Sequence, residues 1–242
     1  MAEEPTWRGL IRGMLVLAAL WWAWGGYVWL ATTTMLEEGG TRSAYALASK
    51  GQPALLRNVL LLLPGATAST ALLIAASFQD GWTPVWMWAI ALLLDYAGPL
   101  FIDSEGWTVS PEHFPERFGL IFIIALGESL IALGVGASEL PIDVTFAVLC
   151  AAGVLTVSAM WWLYFDVVSI VAARRIGAAE GAERNTIARD SYSYLHLPMV
   201  AGVILYALGI KKALAHPEEQ LTPVVATALA GGIADHARAG RL

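Results

Sequence analysis

Six times along this chain a run of about twenty mostly apolar residues recurs, and that repetition limits the possible folds more than any other feature. The runs cover 13–33, 59–78, 84–102, 118–137, 144–172 and 196–215. A helix rising 1.5 Å per residue needs about 20 residues to cross the ~30 Å hydrocarbon core of a bilayer. A soluble chain of 242 residues would break such runs into short amphipathic pieces. The pattern predicts an all-α polytopic transmembrane bundle of six spans, organised as a single membrane domain over 1–242. A seventh run, 224–233, is too short to cross and reads as a truncated seventh span. Composition agrees: 57% of residues are hydrophobic, 14% are charged, and the mean hydropathy is +0.62.

Other classes fall away on charge and motif. A net charge of −6 and the lack of an Arg/Lys face beside exposed aromatics exclude a nucleic-acid partner. Cys150 is the single cysteine, so the chain can form neither an internal disulfide nor a cysteine-based metal site. No paired HxxxH or ExxH spacing marks a metal site, and no cofactor motif is present. The first run is long and Trp-rich without a small-residue cleavage pattern, which predicts a retained span rather than a signal peptide. Trp82, Trp86 and Trp88 before the third run suit anchors at the membrane interface. Orientation follows from loop cations. Arg42, Lys50, Arg57, Arg117, Arg174, Arg175, Arg184 and Arg189 fall on one side, against Arg8, Arg12, Lys211 and Lys212 on the other. This imbalance places the odd-numbered loops in the cytoplasm.

Charges inside the spans are the chemically informative residues. A carboxylate at mid-span costs on the order of 3 kcal/mol, so it persists only where it faces a partner or water. In "FGLIFIIALGESLIALGVGA" the only ionisable side chain is Glu128. At 100° per residue, Ala125, Ser129, Ala132 and Gly136 lie within about 100° on one side of it. Ile123, Leu126, Leu130 and Leu133 lie on the far side. Small-residue strips are where helices approach closely, so Glu128 is expected to face the bundle interior. Asp95, in "ALLLDYAGPLF", shares its side with Ala91, Gly98 and Pro99, and the Gly-Pro pair should loosen the helix end and free carbonyls. Asp166, in "MWWLYFDVVS", shares a face with Ala152, Ala159 and Ala173 and is expected to face protein. The predicted topology puts Asp95, Asp166 and His196 in the cytoplasmic half and Glu128 near the midplane. These four residues could form one polar track for protons or monovalent cations. The competing account makes them hydrogen-bonded contacts between helices with no transport role.

Other polar residues carry weaker signals. His113, Glu116 and Arg117, in "SPEHFPERFGL", suit a capped, solvated start to the fourth span. His196 could relay protons to a carboxylate or hydrogen-bond Tyr192 or Tyr194. The loop "ARRIGAAEGAERNTIARDSYSY" has helix-favouring composition and could lie along anionic headgroups or simply carry the positive-inside signal. Catalysis has the least support. "GES", 127–129, matches a Gly-x-Ser pattern with His196 as a base, but a serine inside an intact spanning helix lacks oxyanion donors. The bilayer is the one implied partner besides the ions, and the sequence leaves a homo-oligomer open.

Three ordered stretches, "HFPERFGLIFIIALGESLIALGVGA", "WWLYFD" and "RDSYSYLHLPMVAGVILYALGIKKAL", resemble bacterial low temperature requirement protein A, a family of polytopic inner-membrane proteins. The resemblance runs from about residue 15 to 223. It implies that His113, Glu116, Arg117, Glu128, Ser129, Asp166, Asp190, Tyr192, Tyr194 and His196 are the family's characteristic polar positions, and a role in cold or stress tolerance. It implies no substrate or reaction. Set against that family, the chain reads as shortened, without an acidic first span and without about two internal helices.

Overall fold

The computed structural model describes residues 6–35, 53–102, 106–138, 140–215 and 220–239. Among them every regular element is helical. In chain order these are α1 (Trp7–Met35), α2 (Pro53–Ala76), α3 (Thr83–Ala97), α4 (His113–Ala137), α5 (Val144–Leu163), α6 (Ser169–Ala178), α7 (Gly181–Ala188), α8 (His196–Ala215) and α9 (Pro223–Ala239). A 3₁₀ turn, Gly98–Leu100, follows α3. Two π turns, Tyr164–Val168 and Arg189–Tyr194, join α5 to α6 and α7 to α8. Arg42 and Lys50, used above for orientation, lie outside the described residues.

Five helical stretches are long and apolar enough to cross a membrane: Trp7–Thr32, Pro53–Ala76, His113–Ala137, Val144–Ala178 and Gly181–Ala215. The expected third span differs, because α3 has only 15 helical residues before Pro99 tightens the chain into the 3₁₀ turn. Proline removes an N–H and disfavours helix at the residue before it. The seventh run also differs: α9 has 17 residues, longer than its apolar stretch alone.

The burial pattern is that of a protein surrounded by lipid. Leu60, Leu61, Ile124, Leu155 and Phe101 lie exposed, while Asn58, Ser69, Ser129 and His196 are buried. A water-soluble surface does not leave so much large apolar area uncovered. This is a membrane protein with an all-α architecture.

Chain contacts define two compact units, each built from separate stretches of sequence. One holds 8–114 and 176–193 and contains α1, α2, α3 and α7. In it, the Arg8 and Arg12 guanidiniums donate to the Gly81 carbonyl, tying the start of α1 to the α2–α3 turn. The other holds 1–7, 115–175 and 194–242 and contains α5, α8, α9 and most of α4 and α6. In this unit the small-residue face of α4 meets α8. Ser129 Oγ donates to the Val203 carbonyl at 3.3 Å, and a Cβ on Gly136 would sit 2.8 Å from the Lys211 carbonyl. Close backbone approach of this kind is what small residues permit.

Candidate functional site

Asp95 lies one turn before the Gly98-Pro99 break of α3. Pro99 has no N–H, so the Asp95 carbonyl lacks its usual donor four residues on. Ser69, buried on α2, donates its Oγ–H to Asp95 Oδ2 at 2.6 Å. Gly98 lets α2 come close, since a Cβ there would lie 3.1 Å from the Leu62 side chain.

A cavity of about 330 Å³ opens beside this carboxylate, wholly within the first unit. Its walls carry Trp21, Trp22 and Trp29 from α1, and Trp107 from the segment before α4. Their positions are fixed by hydrogen bonds. The Trp21 indole donates to the Ser193 carbonyl at 2.8 Å, and the Trp29 indole donates to Ser193 Oγ at 2.9 Å. Ser193 sits in the second π turn, and Pro198, five residues on, has no N–H to offer its carbonyl. Asn185 Nδ2 donates to the Trp107 carbonyl at 2.8 Å and holds that ring edge-on to Trp29, with centroids 5.7 Å apart. Trp22 packs on Tyr96 at 4.3 Å, and the Tyr96 hydroxyl donates to the Ala18 carbonyl at 2.9 Å.

Arg189 also lines the cavity, but its charge is already engaged. Nε pairs with Asp190 Oδ1 at 2.8 Å, and Nη1 donates to the Pro99 carbonyl at 3.0 Å. Asp95 is the other charged lining residue, and Ser69 is its hydrogen-bond partner among the described residues. The cavity therefore combines aromatic walls with one carboxylate that no cation among the described residues pairs with. The described residues hold no cluster of three or more His, Cys, Asp or Glu that could bind a metal ion.

The remaining residues of the expected track belong to the other unit. Glu128 is exposed, although Ala125, Ser129, Ala132 and Gly136 beside it are buried. The middle of that strip lies about 70° from Glu128 at 100° per residue, so the carboxylate rides on its margin. Leu126 and Leu133, on the far side of the helix from Glu128, are buried as well. Asp166 is exposed on the first π turn, as are Ala152 and Ala159. The buried face of α5 runs instead through Gly153, Val157 and Met160 to Tyr164. His196 is buried, with Nε2 hydrogen-bonded to the Tyr164 hydroxyl at 3.0 Å and its ring edge-on to Phe118. The expected tyrosine partners were Tyr192 and Tyr194. Tyr192 is buried edge-on to Phe114 in the first unit, and Tyr194 is half-buried. Asp190 serves Arg189. At the start of α4, Ser110 Oγ accepts from the His113 N–H, with His113 and Glu116 exposed and Arg117 half-buried.

The family profile matching this chain, over residues 40–235, is that of the bacterial low temperature requirement A protein. The chain belongs to that family. It is also 32% identical over 204 residues to a protein of Rhizobium meliloti (strain 1021) that is named only as uncharacterized. That match takes in 79% of this chain and 49% of the relative, so the chain spans about half the relative's length. No solved structure matches it.

Sequence reasoning missed the tryptophan walls and Ser69 in this member of the low temperature requirement A family. The available signal was "WWAWGGYVW", which puts Trp and a Gly pair deep inside a span rather than at its ends.

Proposed function

We propose that this chain is a multi-pass protein of the bacterial inner membrane that handles protons or monovalent cations, with Asp95 as the binding carboxylate. The supporting observation is the Asp95 carboxylate beside an aromatic cavity whose other charge, Arg189, is already paired with Asp190. An ionisable group kept within an apolar span is costly unless it meets a partner or water, and cation exchange supplies both in turn. Glu128, Asp166 and His196, which belong to the other unit, are proposed as further proton- or cation-handling groups. Positive-inside asymmetry supports a plasma-membrane orientation with the odd loops in the cytoplasm.

A second reading is favoured by the Ser69–Asp95 hydrogen bond, which joins α2 to α3. It makes the protein a non-catalytic membrane component in cold or stress tolerance whose acids hold helices together. Asp95→Asn separates the two readings, because asparagine keeps an acceptor for the Ser69 hydroxyl but carries no charge. In liposomes with an internal pH dye, wild type should pass protons or cations, Asp95→Asn should not, and the two should melt alike. Glu128→Gln, Asp166→Asn and His196→Gln test those groups by the same flux. An absence of flux in wild type, with a lowered melting temperature in Asp95→Ala, which removes the acceptor for Ser69, would establish the structural reading.

A further inference from the structure

We propose that the Asp95 cavity binds an organic monocation, a substituted ammonium of small-ligand size. The inference rests on the cation-handling reading above and names its ligand class. Size is the first argument. A volume of about 330 Å³ falls in the range of small-molecule pockets and far exceeds what a bare ion fills.

The lining chemistry is the second argument. Hard inorganic cations take about six or more oxygen ligands, and this wall offers one carboxylate among mostly aromatic and aliphatic side chains. Indole faces attract cations through their quadrupole, most strongly for a weakly hydrated ammonium that sheds its water cheaply. Here the rings are held ready. Trp21 and Trp29 spend their only donors on Ser193, so what they show the cavity is carbon surface. With Arg189 engaged by Asp190 and Pro99, the charge left unpaired among the described lining residues is that of Asp95, and a cation of charge one balances it. An added negative group would be repelled by Asp95, and the Arg189 of this wall already serves Asp190 and the Pro99 carbonyl.

Open space is the third argument. Gly25 and Gly26 line the cavity, and a Cβ added to either meets no described atom within 4 Å. A side chain placed there would enter the volume reserved for the ligand without displacing the fold.

Two sources could supply such an ammonium, a soluble molecule or an ethanolamine headgroup of the surrounding lipid. The test uses full-length protein in nanodiscs of phosphatidylglycerol, with choline as the probe in calorimetric titration. Choline should bind saturably, while its neutral isostere neohexyl alcohol and potassium ion at matched concentrations should neither bind there nor displace it. Asp95→Asn, which keeps the Ser69 hydrogen bond, should weaken choline by at least about tenfold. Gly25→Leu, which fills the space and keeps Asp95, should do the same. Adding phosphatidylethanolamine to the disc assigns the natural source: competition points to the headgroup, and unchanged affinity points to a soluble cation. Equal binding of neohexyl alcohol, displacement by potassium, or unchanged choline affinity in folded Asp95→Asn would each overturn the proposal. Asp95-dependent flux without choline binding removes only this inference, whereas choline binding without any flux removes only the transport reading.

Discussion

Ser69 and Asp95 show how a single hydroxyl gives a carboxylate on an apolar helix its partner. Its donated hydrogen bond is charge-assisted and short, so removing it leaves Asp95 without that partner. Ser69→Ala should therefore lower stability by about 1–2 kcal/mol, seen as a lower melting temperature in micelles. Tyr164→Phe offers a parallel case in the other unit. It deletes the hydroxyl bonded to His196 but keeps the ring stacked on Phe122 at 3.9 Å, and should cost about 1 kcal/mol in the same assay. Asp95 was legible in the sequence because any intramembrane acid prompts a functional reading. Its serine was not, since nothing in an apolar run reveals which neighbouring helix supplies the donor. Glu128 shows the limit of angular arithmetic: being adjacent to a small-residue strip is not the same as lying at its centre.

At the scale of elements, the small residues of α4 divide into those that touch α8 and those that do not. A Cβ on Gly136 would collide with the Lys211 backbone, whereas one on Gly127 meets no described atom within 4 Å. Gly136→Ala should therefore destabilise the α4–α8 contact by about 1–3 kcal/mol, and Gly127→Ala should be neutral or stabilising by up to about 1 kcal/mol. Thermal melts of the two variants side by side check both signs. Helix existence was legible throughout, because span length and hydropathy leave little choice. The π turns were not, since one extra residue per turn leaves no mark on hydrophobic periodicity, yet they set which side chains share a face. Asp166, Ala152 and Ala159 do share a face as counted at 100° per residue, but it is the exposed one, and the buried face of α5 runs through Gly153, Val157 and Met160. The cavity was missed for a related reason: indoles in a span read as anchors until the partners of their N–H groups are known.

For the whole molecule, membership of the low temperature requirement A family and the inverted burial pattern make a membrane protein, and the path of α3 decides its topology. If α3 with its 3₁₀ turn crosses, the α2–α3 turn and the α6–α7 junction lie on opposite sides; if not, on the same side. Crossing is the prediction. In a Cys150→Ala background, Asp80→Cys should react with an impermeant maleimide in intact cells, and Glu180→Cys only after permeabilisation. Labelling of both in intact cells, or of neither, would show that α3 does not span. Both the proposed flux and the proposed binding require the Asp95 carboxylate itself to meet the cation. Infrared difference spectroscopy on the reconstituted protein, with and without choline, observes that carboxylate directly. A carboxyl band that changes on choline addition in wild type and is missing in Asp95→Asn is the predicted result. A difference spectrum that survives Asp95→Asn unchanged would contradict it.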